Sequence, residues 1–261
     1  MQRYNIVHPL YLSFFSKSLY QDVARNWKGL CMTYLLALLA LSVIPGVMKV
    51  RADLITFFNT EAPGFVQQVP TITVADGKVS VKKPQPYYIK DKKTGKPVMI
   101  IDTTGKVASL KGSQAVVLLT KNSIEIKTDK TETRTFDLSD IRRLTVNHKV
   151  IYDWMDSFED WSIFVFYPLA LVFSFFYHIV EVIFYAAIGL IFARSLQAQL
   201  RFRTLVRLAV IAITPSVILG VFVAVAALDI PYWWYISLLI STAYVYFAVR
   251  SNAGKDSLPA A

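Results

Sequence analysis

A water-soluble core cannot absorb the stretch from Leu30 to Met48, which is apolar except for Thr33 and Ser42. Coiled as a helix it measures about 28 Å, close to the hydrocarbon thickness of a bilayer at about 30 Å. The polar leader before it and its length argue for a retained anchor rather than a cleaved signal peptide. Pro45 and Gly46 mark the expected outer end of this first span, placed at residues 29–50.

Residues 161–193 form a second apolar block, interrupted by Ser162, Ser174, His178, Glu181 and a few tyrosines. It is too short for two crossings and long for one, which predicts a tilted or projecting helix about 50 Å in length. A single crossing returns the chain to the cytoplasm at the basic loop 194–207, as the positive-inside rule requires. Residues 208–228, with Thr214-Pro215 near the middle, read as a third span. A short external turn at 229–232 and the aromatic cluster Tyr232 to Tyr235 lead into a fourth span at 233–249. The expected fold class is therefore an α-helical membrane protein with four transmembrane helices. A small β-rich extracytoplasmic domain is inserted between helices 1 and 2.

Charge supports that orientation. The net charge is +10, yet it is concentrated in Arg3, Lys17, Arg25, Lys28, Arg194, Arg201, Arg203, Arg207, Arg250 and Lys255, opposed in the polar flanks only by Asp22 and Asp256. Both termini, 1–28 and the tail 250–261, are placed in the cytoplasm of a bacterial inner membrane, and no nucleic-acid partner is expected. Leu12, Phe15, Leu19 and Val23 recur at helical spacing, fitting either an amphipathic helix on the membrane surface or one packed on the protein. The lone Cys31 excludes an intrachain disulfide.

Residues 51–160 change character, with short β-branched runs between turns. Ile72, Val74, Val79 and Val81 alternate around Asp76-Gly77, whose positive φ suits a tight hairpin. Val98 to Ile101 is a strand closed by Asp102-Thr103-Thr104-Gly105. Val116 to Leu119 and Ile124 to Ile126 flank a second hairpin, and Thr133 to Leu138 forms a further polar strand. With 17 basic and 14 acidic residues this region is nearly neutral, so no polyanion site is expected there. Val150 to Asp160 reads as a helix entering the membrane. Its carboxylates Asp153, Asp156, Glu159 and Asp160 fit a solvated face better than a cation site.

His178 and Glu181 are the sharpest local signal, because they share one helical face inside an apolar segment. They could form a protonatable pair or a polar docking point for another helix, or satisfy each other while packing with Tyr177 and Tyr185. Arg194, Arg201, Arg203 and Arg207 are candidate contacts for lipid headgroups or a partner, and also the anchors that a cytoplasmic loop needs. His8 and His148 stand alone, so no metal is expected, and no cofactor or catalytic motif is recognisable.

The stretch Phe14-Phe15-Ser16-Lys17-Ser18-Leu19-Tyr20-Gln21-Asp22-Val23-Ala24-Arg25-Asn26-Trp27-Lys28-Gly29 resembles the opening of an uncharacterised bacterial membrane family. Its members carry a domain-of-unknown-function name or a maltodextrin-utilisation-protein-like label. Ile72 to Val79 and Ile100 to Gly105 are similar to that family's exported portion. Arg201 through Pro215 resembles, more loosely, the Yip1-type membrane superfamily, whose helical members are linked to trafficking or scaffolding. The resemblance implies no catalytic residues. The expected function is a non-enzymatic scaffold or accessory factor binding membrane lipids and a partner membrane protein or a second copy of itself. Two rivals stand beside it: a transporter subunit using His178 and Glu181, and a membrane enzyme using the external carboxylates.

Overall fold

The computed structural model describes residues 3–129 and 132–254, so the end of the tail, with Lys255 and Asp256, lies outside the described residues. The chain divides into two units, Met1–Val50 with Ile163–Ala261, and Arg51–Ser162. In chain order the first helices are α1 (Pro9–Leu12), α2 (Lys17–Asn26), α3 (Met32–Ser42), α4 (Ile44–Thr60) and α5 (Ala62–Val66). Strands β1 (Ile72–Ala75), β2 (Lys78–Val81), β3 (Tyr87–Lys90), β4 (Pro97–Ile101), β5 (Val117–Leu119), β6 (Ser123–Lys127), β7 (Thr133–Asp137) and β8 (Arg143–Val146) follow. The chain ends with α6 (His148–Ser195), α7 (Phe202–Ala212), α8 (Thr214–Val225) and α9 (Trp233–Arg250).

This architecture corrects the four-span reading. Among the described residues three helical stretches have the length and apolarity to cross a bilayer: Met32–Thr60, His148–Ser195 and Phe202–Val225. The expected fourth, α9, falls short because Trp233, Trp234, Tyr235, Ser237, Ser241, Thr242, Tyr244 and Tyr246 dilute its aliphatic residues. Residues 51–160, expected as a small β-rich domain, are likewise not strands alone. They hold two separate sheets, and helices flank these on both sides in sequence.

Pro45, expected to mark the outer end of the first span, instead begins a new helix, and so does Pro215 in the middle of the expected third span. Pro45 is the second residue of α4 and Pro215 the second residue of α8, positions where a fixed φ is welcome and the missing N–H is harmless. The backbone ladder runs straight through each junction: Val43 N–H bonds Leu39 O and Val47 N–H bonds Val43 O, both at 3.0 Å, and Ile213 and Val217 repeat the arrangement at 3.0 Å. The first apolar helix therefore continues beyond Met48 to Thr60. Helix α6 is continuous for 48 residues, including Pro168, which makes it about 72 Å long. No residue of its most apolar part is fully buried, although Leu171, Phe175 and Ile179 lean against the core, and fully buried hydrophobics first appear at Val182. Phe173, Phe176 and Val180 are about two-thirds exposed, an apolar surface that suits lipid rather than water.

In the first unit α7 is the hub. Leu205, Val206, Leu208, Ala209, Val210, Ile211 and Ala212 are all buried, so almost every face meets another helix. Leu19, Tyr20 and Val23 of α2 join the same core, so α2 packs on the protein rather than lying loose on a surface. Its start is capped by Ser16, whose hydroxyl accepts from Leu19 N–H at 3.2 Å. Gly189 lets α6 approach closely, because a Cβ there would sit 3.2 Å from Leu205 Cδ2 and 3.5 Å from Val245 Cγ1. Hydroxyl pairs pin the helices: Tyr34 to Thr214 at 2.8 Å and Ser216 to Ser241 at 2.7 Å. Gln21 Nε2 donates to Ser251 O at 2.8 Å, setting the end of α9 beside α2.

In the second unit one sheet has the order β2-β1-β8 and the other β3-β4-β5-β6-β7, with β4 and β5 parallel and the remaining pairs antiparallel. The first hairpin pairs Ile72 with Val81 through Ala75 with Lys78. Asp76 and Gly77 turn it with φ of 47° and 72°, and a Cβ on Gly77 would lie 2.7 Å from Ser139 Cα. Only glycine fits there. Ile72, Val74, Val79, Ile89, Ile101, Leu119 and Leu138 form the main core of this unit. Asp102 is buried and accepts from Thr104 N–H at 2.9 Å, Thr104 Oγ1 at 2.6 Å and Val107 N–H at 2.6 Å. Burial opposes its charge, but these bonds prevail and hold its carboxyl below the usual range.

Candidate functional site

The connection between α6 and α7 borders an open cleft of about 1170 Å³ that Arg25, Arg194, Arg201, Arg203 and Arg207 line together with Gln197, Gln199 and Thr204. The four arginines singled out from sequence thus meet around one cleft, Arg194 from the end of α6, Arg201 from the connection and Arg203 and Arg207 from α7. Arg25, from the last turn of α2, is the member that sequence spacing did not join to them. No carboxylate lines the cavity, and among the described residues none of the five arginines makes an ion pair. Helix α7 starts at Phe202 with no side-chain cap on its amino end. The first N–H groups of a helix and its positive dipole end favour an anion, adding to the arginine field.

The arginines do not share one role. Arg207 is half-buried, and its guanidinium donates to the carbonyls of Trp27 and, at 3.0 Å, Ala24, as well as to Thr204 Oγ1 at 3.3 Å. Those carbonyls belong to the end of α2, so a cation caps that helix where its partial charge is negative. Arg194, Arg201 and Arg203 are exposed, leaving their guanidinium groups available to a ligand.

Asp22 completes the scaffold behind the cleft. Its buried carboxylate accepts from the N–H groups of Arg3 at 3.1 Å and Tyr4 at 3.2 Å, from Asn26 Nδ2 at 2.7 Å and from Trp27 Nε1 at 3.0 Å. Burial works against the charge, but the hydrogen bonds from Asn26, Arg3, Trp27 and Tyr4 together outweigh it and lower the carboxyl below its ordinary range.

His178 and Glu181 meet on α6, with Nε2 and Oε2 3.7 Å apart and both side chains mostly buried. Nδ1 of His178 lies 2.8 Å from the carbonyl of Ser174. Beyond Glu181 on the same helix Tyr185 is buried, and the hydroxyls of Ser216 on α8 and Ser241 on α9 meet at 2.7 Å. Tyr185 follows Glu181 by one helical turn and is legible as a neighbour, whereas Ser216 and Ser241 come from distant sequence and are not.

The remaining candidates stay apart. Glu159 pairs with Arg51 at 3.8 Å, and among the described residues no group of three or more His, Cys, Asp or Glu side chains is arranged to hold a metal. His148 Nε2 bonds Val69 O at 2.7 Å, and His8 bonds Asn5.

Residues 7–249 match the family described as protein of unknown function (DUF1189). The chain belongs to that family. Within the curated proteins, this DUF1189 member is 27% identical over 135 residues to an uncharacterised protein of Rickettsia prowazekii (strain Madrid E), covering 46% of each chain. The aligned part thus spans about half the length of that relative. No solved structure matches the chain. These findings support an uncharacterised family and extend to neither the maltodextrin-utilisation nor the Yip1-type label.

Proposed function

We propose that this DUF1189 protein is a non-enzymatic accessory factor of the bacterial cytoplasmic membrane that holds anionic phospholipid headgroups in its arginine cleft. The cleft faces the cytoplasm, and the chain between the first two apolar helices lies on the other side. The observation that carries this reading is five arginines around one cavity with no carboxylate in its walls among the described residues. A volume near 1170 Å³ accommodates a whole headgroup rather than a bare phosphate. Basic pockets at the cytoplasmic end of membrane helices recognise such headgroups through charge and bidentate guanidinium geometry.

The test is lipid analysis of the full-length protein extracted in mild detergent, followed by titration with phosphatidylglycerol and phosphatidylcholine in nanodiscs. The protein is expected to retain the anionic lipid selectively. At about 1 kcal/mol per basic residue near the surface, Arg201→Gln with Arg203→Gln weakens that binding about 25-fold. Equal retention of both lipids, or no change in the double variant, refutes the assignment.

The close approach of His178 to Glu181 supports a second reading, a transporter subunit with a polar intramembrane site. Substrate-dependent flux in proteoliposomes, abolished by His178→Ala with Glu181→Ala, would establish it.

A further inference from the structure

The five-stranded sheet has one closed edge and one open edge. Strand β7 is exposed along its whole length, and among the described residues no other strand lies beyond it. Its register with β6 pairs Ile124 with Phe136 and Ile126 with Arg134. Bonds from Leu138 N–H to Asn122 O and from Thr128 N–H to Glu132 O, both 2.9 Å, place the even-numbered positions in the hydrogen-bonded pairs with β6. Thr133, Thr135 and Asp137 therefore turn their N–H and C=O groups outward. At the opposite edge, β3 is bulged between Ile89 and Lys90. The Gln68 amide there occupies both backbone groups of Lys90, accepting from its N–H at 2.9 Å and donating to its carbonyl at 2.8 Å. Strand β7 has neither a bulge nor a proline to keep another strand away.

A second copy of β7, laid antiparallel and centred on Thr135, satisfies these outward groups. Thr135 then pairs with its own counterpart and Thr133 with Asp137, so the three positions exchange N–H and C=O bonds about a two-fold axis. The side chains agree with that register. Arg134 comes opposite Phe136 of the second copy in a non-hydrogen-bonded pair, the kind in which side chains approach closest, and the axis repeats the contact. Phe136 is 51% exposed, and the Arg134 side chain is 65% exposed beside a 3.7 Å contact to Glu132, so ring and guanidinium are free to stack. Thr133 meets the Asp137 carboxylate, to which its hydroxyl can donate. A slip of two residues one way sets Arg134 against Arg134, and a slip the other way leaves Thr133 beyond the end of the facing strand.

We propose that β7 is a homodimer interface, at which two copies of the chain join edge to edge about Thr135 and continue the five-stranded sheet into its counterpart. Phe136 lies beside Ile124, which packs against the main core of this unit, so each Arg134–Phe136 stack extends that apolar face across the axis. The occupant is a second copy because the edge is complementary to itself: the outward groups fall at matching positions, and cation meets ring where like charges are kept apart.

The experiment uses the full-length protein in membranes, with Cys31→Ala so that one introduced thiol per chain reports. Thr135→Cys sits on the axis, where facing Cα atoms of a hydrogen-bonded pair are about 5.5 Å apart, within disulfide reach. Mild oxidation is expected to convert most of it to covalent dimer. Thr133→Cys and Asp137→Cys, each about 14 Å from its own counterpart, stay monomeric alone and crosslink to each other when coexpressed. In the parent background Thr135→Pro deletes an outward N–H and leaves the β6 ladder intact, lowering the dimer fraction read by single-molecule photobleaching about tenfold. Phe136→Arg, which sets arginine against arginine, loses the dimer too, and adding Arg134→Phe restores it, a rescue that a misfolded sheet does not give. A monomeric parent, equal crosslinking at positions 133, 135 and 137, or a dimer that survives both Thr135→Pro and Phe136→Arg overturns the proposal. Its failure leaves the arginine cleft untouched, because no residue is shared between the two sites.

Discussion

Arg207 separates the arginine that builds the cleft from those that serve it. Replacing it with methionine keeps an apolar stem of similar length and removes the guanidinium that holds the Trp27 and Ala24 carbonyls. Hydrogen bonds from a charged donor contribute about 1.5–3 kcal/mol each, and capping a helix carboxyl end with a cation adds about 0.3–1 kcal/mol. Against this stands the Arg207 Nε, which is buried with no partner among the described residues, so its removal returns part of the loss. The net expectation is destabilisation by about 3 kcal/mol. Arg203→Met removes an exposed group with no bond to the fold and should stay within about 0.5 kcal/mol of the parent. Arg207→Lys should resemble Arg207→Met, because a point charge cannot reproduce the planar fork across two carbonyls. Denaturant unfolding in mild detergent measures the difference, and amide hydrogen exchange over residues 17–28 locates it. If Arg207→Met and Arg203→Met unfold alike, Arg207 is not holding α2 and the division of roles fails.

Two further outcomes rest on the same packing. The Asp22 carboxyl has a folded pKa below its unfolded value, so its contribution is fully present above the ordinary carboxylate range and is lost as pH falls through the lowered folded value. Acidification should therefore release residues 3–27 to hydrogen exchange, and Asp22→Asn should be destabilised at neutral pH and show a weaker dependence on acid. Gly189→Leu places a branched side chain where even a Cβ lies 3.2 Å from Leu205, and should lower stability by about 1–3 kcal/mol or more through overpacking. Gly189→Ala is the mild control. Thermal unfolding in detergent ranks the two variants, and an unchanged Gly189→Leu would show that α6 does not pack closely there.

Much of the local structure is written in short-range pattern. The Asp76-Gly77 turn, the run around Val98 to Ile101 and the hairpin about Lys121-Asn122 are readable because turn chemistry and alternation act within a few residues. Strands β3 and β8 carry no comparable signal. Arg143–Val146 becomes a strand by pairing with Ile72–Ala75, some seventy residues earlier, and no local window contains its partner. Pro45 and Pro215 illustrate a different limit: a proline marks a discontinuity in the ladder, but whether a helix ends or restarts there depends on the residues after it and on the packing around it.

What the amino-acid order determined by itself is the presence of long apolar helices, the basic character of the connection after the second of them and the adjacency of His178 to Glu181, since each depends on residues within one or two helical turns. Tertiary structure decided that α2 packs into the core and that Arg25 joins arginines some 170 positions away. It also brought Ser216 of α8 against Ser241 of α9. The reason is range: hydrophobic periodicity is local, whereas a cleft of like charges and a hydroxyl pair between helices exist only once distant helices have been brought into contact.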